Sequence, residues 1–296
     1  MKTMAVHSGI FHADDVFSTA LMQGIYEDLT VIRTRDPQKY NACDIVADVG
    51  GGKYDHHNVN KKLRADGIPY CAFGLLWQDF GVAYIEKNFA KCKLTTEQIT
   101  QIKDTVALDF ITLIDASDNG IDIIKSDYNI FTASRMVDVF IPFDATKETV
   151  DKGFFEAVEL AKKILKYVVE KEVRYFDDFN YIKEHLKEQN PAKTHYLIFD
   201  KKISFKKALI ALDKAEDVLF VVYKDLSGRW MVQNVQRFED SFEARKYLPE
   251  QWAGKSDAEL DEVTGIKGCV FCHPARFLCG NETKEGAIAM VKLAVE

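Results

Sequence analysis

The stretch from residue 3 to residue 52 constrains the fold more than any other part of the sequence. Residues 3–6 form an apolar run short enough for a buried strand. A polar turn follows, and Val16, Ala20, Leu21 and Ile25 then recur at helical spacing. Residues 29–32 and 44–49 are two further β-branched runs, the second closed by Gly50, Gly51 and Gly52, which mark a sharp turn at the end of a strand. Strands that alternate with helices in this way predict an α/β fold with a parallel sheet.

Residues 71–89 and 95–114 repeat apolar side chains at helical spacing, and Thr95 with Gln98 forms a capping box, so two long helices close the first lobe. After Pro142 comes a charge-laced helix whose apolar face carries Phe154, Val158, Ala161, Leu165, Val168 and Val169, ending before Pro191. Residues 196–199, 218–223, 230–235 and 268–272 read as strands, with a closing helix from about Thr283. The expected organisation is a first lobe over 1–145, a connector helix over 146–190 and a smaller α/β lobe over 191–296.

A chain of 296 residues suits two lobes, and 47% hydrophobic with 29% charged residues is the balance of a protein that buries a core. Disordered and fibrous classes drop away. A net charge of −7 and a pI near 5.6 argue against general coating of polyanions but leave room for a local basic groove. No run of about eighteen apolar residues is free of charge, so no membrane span is expected, and residues 1–15 lack the apolar core of a secretory signal. The expected location is the cytoplasm; the oligomeric state stays open. In a reducing compartment Cys43, Cys71, Cys92, Cys269, Cys272 and Cys279 read as free thiols or ligands.

Three clusters carry chemistry. His7-Ser-Gly-Ile-Phe-His12-Ala-Asp14-Asp15 lies where a strand gives way to a helix, the edge at which open α/β sheets build their sites. Taken alone, Asp14 and Asp15 also suit a helix N-terminus, where the dipole favours negative charge. A second cluster runs from Asp44 through Asp48 and the glycines to Asp55-His56-His57. It brings the Asp48 carboxylate to the end of a buried strand, which is unfavourable unless a positive group such as a divalent cation meets it. The third, Leu113-Ile-Asp115-Ala-Ser-Asp118-Asn-Gly120, ends an apolar helix in two carboxylates and by itself reads as a helix stop.

In chain order, His7…His12-x-Asp14, Asp48, Asp55-His56-His57 and Asp115/Asp118 resemble the four motifs of the DHH phosphoesterase superfamily. The forms His-x-Gly-x-Phe-His-x-Asp, Asp-Val-Gly-Gly and Ile-Asp-x-x-Asp-Asn-Gly are similar to those of its melanocyte proliferating gene 1 branch. So are Gly74-Leu-Leu-Trp77 with Phe80-Gly81, and residues 241–252, 265–273 and 280–287. The likeness spans nearly the whole chain. It implies a two-metal phosphodiesterase, in that branch a 3′ to 5′ RNA exonuclease, with a DHH-type metal-binding lobe facing a substrate-binding lobe. On that resemblance one cation sits among His7, His12 and Asp48. The other takes Asp14, Asp48, His56 and one of Asp115 and Asp118, with Asp48 shared. Mixed imidazole and carboxylate ligands favour Mn²⁺, with Mg²⁺ or Co²⁺ as substitutes. His57 is the candidate for touching the scissile phosphate, and Asp55 for orienting a ligating imidazole.

In the second lobe His273, Arg276, Gly280 and Asn281 follow an apolar strand and precede a helix, so backbone N–H groups and one guanidinium there are candidates for holding a phosphate. Leu278-Cys279-Gly280 departs from the Ile-Gly-Gly usual in the branch. Cys269-Val-Phe-Cys272-His273 spells a haem-attachment signature, but its setting in an apolar strand favours buried thiols, and neither haem nor zinc is expected. Lys201, Lys202, Lys206, Lys207, Arg237, Arg245 and Lys246 are candidates to line a groove for RNA or a short oligonucleotide. Two rival readings stand beside the nuclease: a hydrolase of small phosphoanhydrides or nucleotides using the same metals, and a non-catalytic metal-binding protein.

Overall fold

The computed structural model describes residues 1–57, 61–92 and 94–296. Its contacts divide it into two compact units, Met1–Arg174 and Tyr175–Glu296. In the first, strands β1 (Lys2–Val6), β2 (Leu29–Arg33) and β3 (Ile45–Val46) form the expected parallel sheet, in the order β2-β1-β3. Helix α1 (Ala13–Ile25) returns the chain between β1 and β2, the crossover that parallel pairing demands. Met4, Ala5 and Val6 of β1 are fully buried, as are Val16, Phe17, Leu21 and Met22 of α1.

The strand predicted over 44–49 pairs with β1 only at Ile45 and Val46, and Ala47 adds an isolated bridge to Tyr54. At Asp48 the backbone turns left-handed, φ 56°, and its N–H donates to the carbonyl of Tyr54 at 2.9 Å, so the rest of the run serves as a loop. Gly50 continues that turn with φ 84°; a Cβ on it would stand 2.8 Å from the ring of Tyr40, in the short helix α2 (Pro37–Tyr40). Helices α3 (Ala72–Asn88) and α4 (Thr96–Val106) follow, with the Thr95–Gln98 capping box in place. The single helix predicted over 95–114 is interrupted. Ala107–Ile111 winds a wider π-helical turn before α5 (Thr112–Asp118), where the Thr112 hydroxyl donates to the Ala107 carbonyl. After α6 (Ala133–Asp138) comes α7 (Lys147–Gln189), a 43-residue helix within which the division between the units falls.

The second unit continues through α8 (Pro191–Thr194), β4 (Tyr196–Phe199), α9 (Lys206–Leu212), β5 (Phe220–Lys224), β6 (Trp230–Asn234), α10 (Asp257–Thr264), β7 (Cys269–Cys272), β8 (Leu278–Asn281) and α11 (Lys284–Val295). Its sheet runs β4-β5-β6-β8-β7, with β4 and β5 parallel and the other pairs antiparallel. Alternation along β5 sends Phe220 and Val222 into one apolar cluster with Trp252, Leu260 and Met290, and Val221 and Tyr223 into another with Leu197, Phe199 and Leu209. Residues 278–281, to which no strand was assigned from sequence, form an interior strand. Simple alternation would turn Cys269 and Cys272 apart. A bulge between Cys269 and Phe271 brings both, with Cys279, into one cluster as buried free thiols. Among the described residues no helix is long and apolar enough to cross a membrane.

Candidate metal centre

All three strands of the first sheet point the same way, so their C-terminal ends share one edge. His7 follows β1 there, and Asp48 follows β3. The glycine turn brings back Asp55, His56 and His57, the first turn of α1 supplies Asp14 and Asp15, and the last residue of α5 supplies Asp118.

His7 Nε2 stands 3.2 Å from Asp15 Oδ2 and 3.2 Å from Asp48 Oδ2. His56 Nε2 stands 3.2 Å from the other oxygen of Asp48, 3.0 Å from Asp118 Oδ2 and 3.6 Å from Asp14 Oδ2. Asp48 therefore turns one oxygen to each imidazole. The donor atoms gather into three overlapping sets, His7/Asp15/Asp48, Asp14/His56/Asp118 and Asp48/His56/His57, each within 4.8 Å. The start of α3 fixes one member: the N–H groups of Ala72 and Phe73 donate to Asp14 at 3.1 and 2.6 Å.

Asp14 and Asp15 have no exposed surface, and Asp48 has 3%. Burial pushes the Asp14 carboxyl well above the usual carboxylate range and Asp15 up to about 7, in the latter case against the pull of His7. Burial opposes charge on Asp48 too, but hydrogen bonds with His56 and His7 outweigh it and hold this carboxyl low. On His56, burial disfavours the imidazolium; Asp118 and Asp48 prevail and raise it to about 10, and His7 moves the same way through Asp48 and Asp15. The buried oxygens Asp15 Oδ2 and Asp48 Oδ1 have no backbone, hydroxyl or amide donor and face imidazole nitrogens at 3.2 Å. Buried carboxylate oxygens converging with imidazole nitrogens on so few protein hydrogen-bond donors are compatible with a divalent cation.

The other candidates divide. His12 is exposed, its ring centroid 5.6 Å from that of His7, and it enters none of the three sets. Asp115 is also outside them. It accepts from Arg64 Nε at 2.5 Å and from the Cys71 N–H at 3.0 Å, so of the two aspartates on α5 only Asp118 reaches His56. Asp55 accepts from the Gly51 N–H at 2.7 Å and lies 2.8 Å from His57 Nδ1, so the imidazole it orients is that of His57, a ring 65% exposed. Asp15 belongs to the first cluster, but the resemblance gives ligands at His7, His12 and Asp14 there and leaves Asp15 to the helix N-terminus. It does accept from the His12 N–H at 2.9 Å with one oxygen, but the other faces His7. The sequence signal for that second role was its place three residues past His12, in the cluster that starts at His7, which a helix N-terminus explained equally well.

In the second unit His273 and Arg276 are half-buried in the β7–β8 turn, with Arg276 at φ 56° and its guanidinium 5.4 Å from the Tyr247 ring centroid. Gly280 and Asn281 are both buried in β8 rather than in the turn. A Cβ on Gly280 would stand 3.1 Å from Met231 Sδ, and the Asn281 amide bonds the Lys267 carbonyl and Thr283. The cations read as a groove are largely paired. Arg245 is buried against Asp213 at 2.5 Å, Arg237 reaches Glu216 and Glu243, and Lys207 reaches Glu239.

An α/β protein whose parallel sheet collects imidazoles and carboxylates at its C-terminal edge has clusters there that are compatible with binding a divalent cation. The chain belongs to the MYG1 exonuclease family, described as uncharacterised protein family UPF0160, whose model matches residues 3–295. The chain is 30% identical to the mouse MYG1 exonuclease, over 98% of this chain and 83% of that protein. It is 29% identical to the human MYG1 exonuclease over 98% and 84%, and 28% identical to the Schizosaccharomyces pombe MYG1 protein C694.04c over 99% and 97%. Among solved structures, the pGpG-specific phosphodiesterase PggH from Vibrio cholerae aligns over 99% of this chain and 100% of its own with TM-score 0.30 and 12% identity, too loosely to carry an argument.

Proposed function

We propose that the chain is a two-metal phosphodiesterase that releases nucleoside monophosphates from the 3′ end of short RNA, with Mn²⁺ as the best-suited cation and Mg²⁺ or Co²⁺ as substitutes. Its family membership makes it a hydrolytic enzyme of the nuclease and phosphodiesterase kind. The observation that carries the two-metal reading is the Asp48 carboxylate, whose oxygens face His7 and His56 separately.

His7, Asp15 and Asp48 would hold one cation, with His12 beside them. Asp14, Asp48, His56 and Asp118 would hold the other. When bound, such a pair supplies charge stabilisation to a phosphoryl group and lowers the pKa of an attacking water. Asp55 steadies His57, whose exposed ring is the group to meet the scissile phosphate. Within the second unit, His273 and Arg276 would take a phosphate, in the turn that leads into the β8 residues Gly280 and Asn281. Six free cysteines suit a reducing compartment such as the cytoplasm.

The paired cations of the second unit favour a short substrate over a long one, and keep a hydrolase of small phosphoanhydrides as the second reading. End-labelled RNA, DNA and pyrophosphate, each with Mn²⁺ or with chelator, separate the readings. Stepwise mononucleotide release from RNA, lost with chelator and in Asp48→Asn, supports the nuclease. Cleavage of pyrophosphate alone supports the rival, and no turnover of any substrate sinks both.

A further inference from the structure

Arg33 is the last residue of β2, and only 2% of its side chain is exposed. Its Nη2 donates to the Gly9 carbonyl at 2.6 Å, and its Nη1 donates to Asp151 Oδ1, near the start of α7, at 2.5 Å. The guanidinium carbon lies 4.4 Å from the Phe154 ring centroid and 5.6 Å from that of Phe11. Gly9 sits at φ 101° in the loop that joins His7 to His12, and Arg35 Nε donates to the preceding carbonyl, Ser8, at 3.1 Å. Two successive carbonyls of that loop are thus held by arginines. Burying a guanidinium is costly unless its N–H groups are met. Here Nε makes no hydrogen bond, so packing alone is a poor reason for an arginine at this place. The charge also reaches Asp15, where it favours the ionised form.

We propose that Arg33 is a positioning residue for cation binding: by clamping the Gly9 carbonyl to Asp151 and Phe154 it fixes the loop that carries His7, and so sets the affinity of the His7/Asp15/Asp48 set without touching the cation. The proposal rests on the metal reading above. It differs from a general structural role in being selective, because the loop that Arg33 holds carries His7, which belongs to the His7/Asp15/Asp48 set and not to Asp14/His56/Asp118.

The test is a calorimetric Mn²⁺ titration of the wild type, Arg33→Lys and Asp151→Asn, with amide hydrogen exchange of residues 8–12 measured in metal-free protein. Lysine keeps the charge but cannot fork between two acceptors. In Arg33→Lys the weaker loop should exchange faster, and one of two binding events should lose roughly tenfold or more in affinity while the other changes less than about twofold. Asp151→Asn should move the same event by a smaller factor. Equal weakening of both events, or unchanged binding and exchange, overturns the inference alone. A wild type that takes up no Mn²⁺ overturns the metal reading and the inference with it.

Discussion

Gly74 lies directly against the carboxylate of Asp115: a Cβ on it would overlap Oδ1 and stand 2.6 Å from Oδ2. The approach has a purpose. Only with α3 this close to α5 can the Cys71 N–H reach Asp115 while the next two N–H groups reach Asp14. One glycine in the first turn of a helix therefore ties a buried carboxylate of the cluster to a second aspartate outside it.

Gly74→Ala should destabilise the chain by about 1–3 kcal/mol through overpacking, even though alanine is the better helix former by about 1 kcal/mol. The urea midpoint measures the balance. An unchanged or higher midpoint would mean that α3 can withdraw without loss.

The two aspartates of α5 should separate on substitution. Asp118→Asn removes a donor facing His56 and is expected to lower cation uptake with little loss of stability. Asp115→Asn leaves the Arg64 guanidinium, 11% exposed, without its ionic partner, so it should lose roughly 3 kcal/mol of stability while retaining cations. Asp48→Asn should weaken both binding events. Metal content after desalting, set beside thermal unfolding, reads all three.

Much of this site was legible because its residues come from strand ends and from one contiguous Asp-His-His run, which alternation and motif order both mark. Asp15 stood in the first cluster but was left out of the ligand sets, because the dipole at a helix N-terminus already accounts for an aspartate there. Asp115 and Asp118 could not be told apart, since three residues along a helix turn both to nearly the same side; what divides them is Arg64, about fifty residues away in sequence. β8 was hidden for another reason: a strand reading Leu-Cys-Gly-Asn has weak β propensity and is held by neighbours on both sides.

Acid should loosen the sheet edge through Asp44. Its carboxylate accepts from the Thr3 N–H at 2.8 Å, the Thr3 hydroxyl at 2.9 Å and Lys2 at 3.0 Å, tying the entry to β3 against β1. These bonds, the backbone one first, lower its pKa from 3.8 to about 2. A carboxyl depressed on folding stabilises above its unfolded pKa, and that contribution disappears as pH falls from about 4 through about 2. Asp44→Asn should flatten the acid limb of the stability profile in that window while leaving neutral pH nearly unchanged. A wild-type profile already flat below pH about 4 would contradict it.

Asn281 and Arg276 were read alike from sequence as substrate groups, and the structure gives them different surroundings. The Asn281 amide donates to the Lys267 carbonyl at 2.9 Å and accepts from the Thr283 N–H at 2.9 Å and hydroxyl at 3.0 Å, and that hydroxyl in turn accepts from the Gly286 N–H at the start of α11. Removing the amide strands buried partners, so Asn281→Ala should lose about 1–3 kcal/mol of stability with KM and kcat unchanged per folded molecule. Arg276 is half-buried in a turn, against one ring. Arg276→Ala should leave the melting temperature within about a degree or two and raise KM for RNA several-fold if the turn meets a phosphate. A raised KM in Asn281→Ala at unchanged stability would reverse the assignment and put the amide, not the guanidinium, against the substrate.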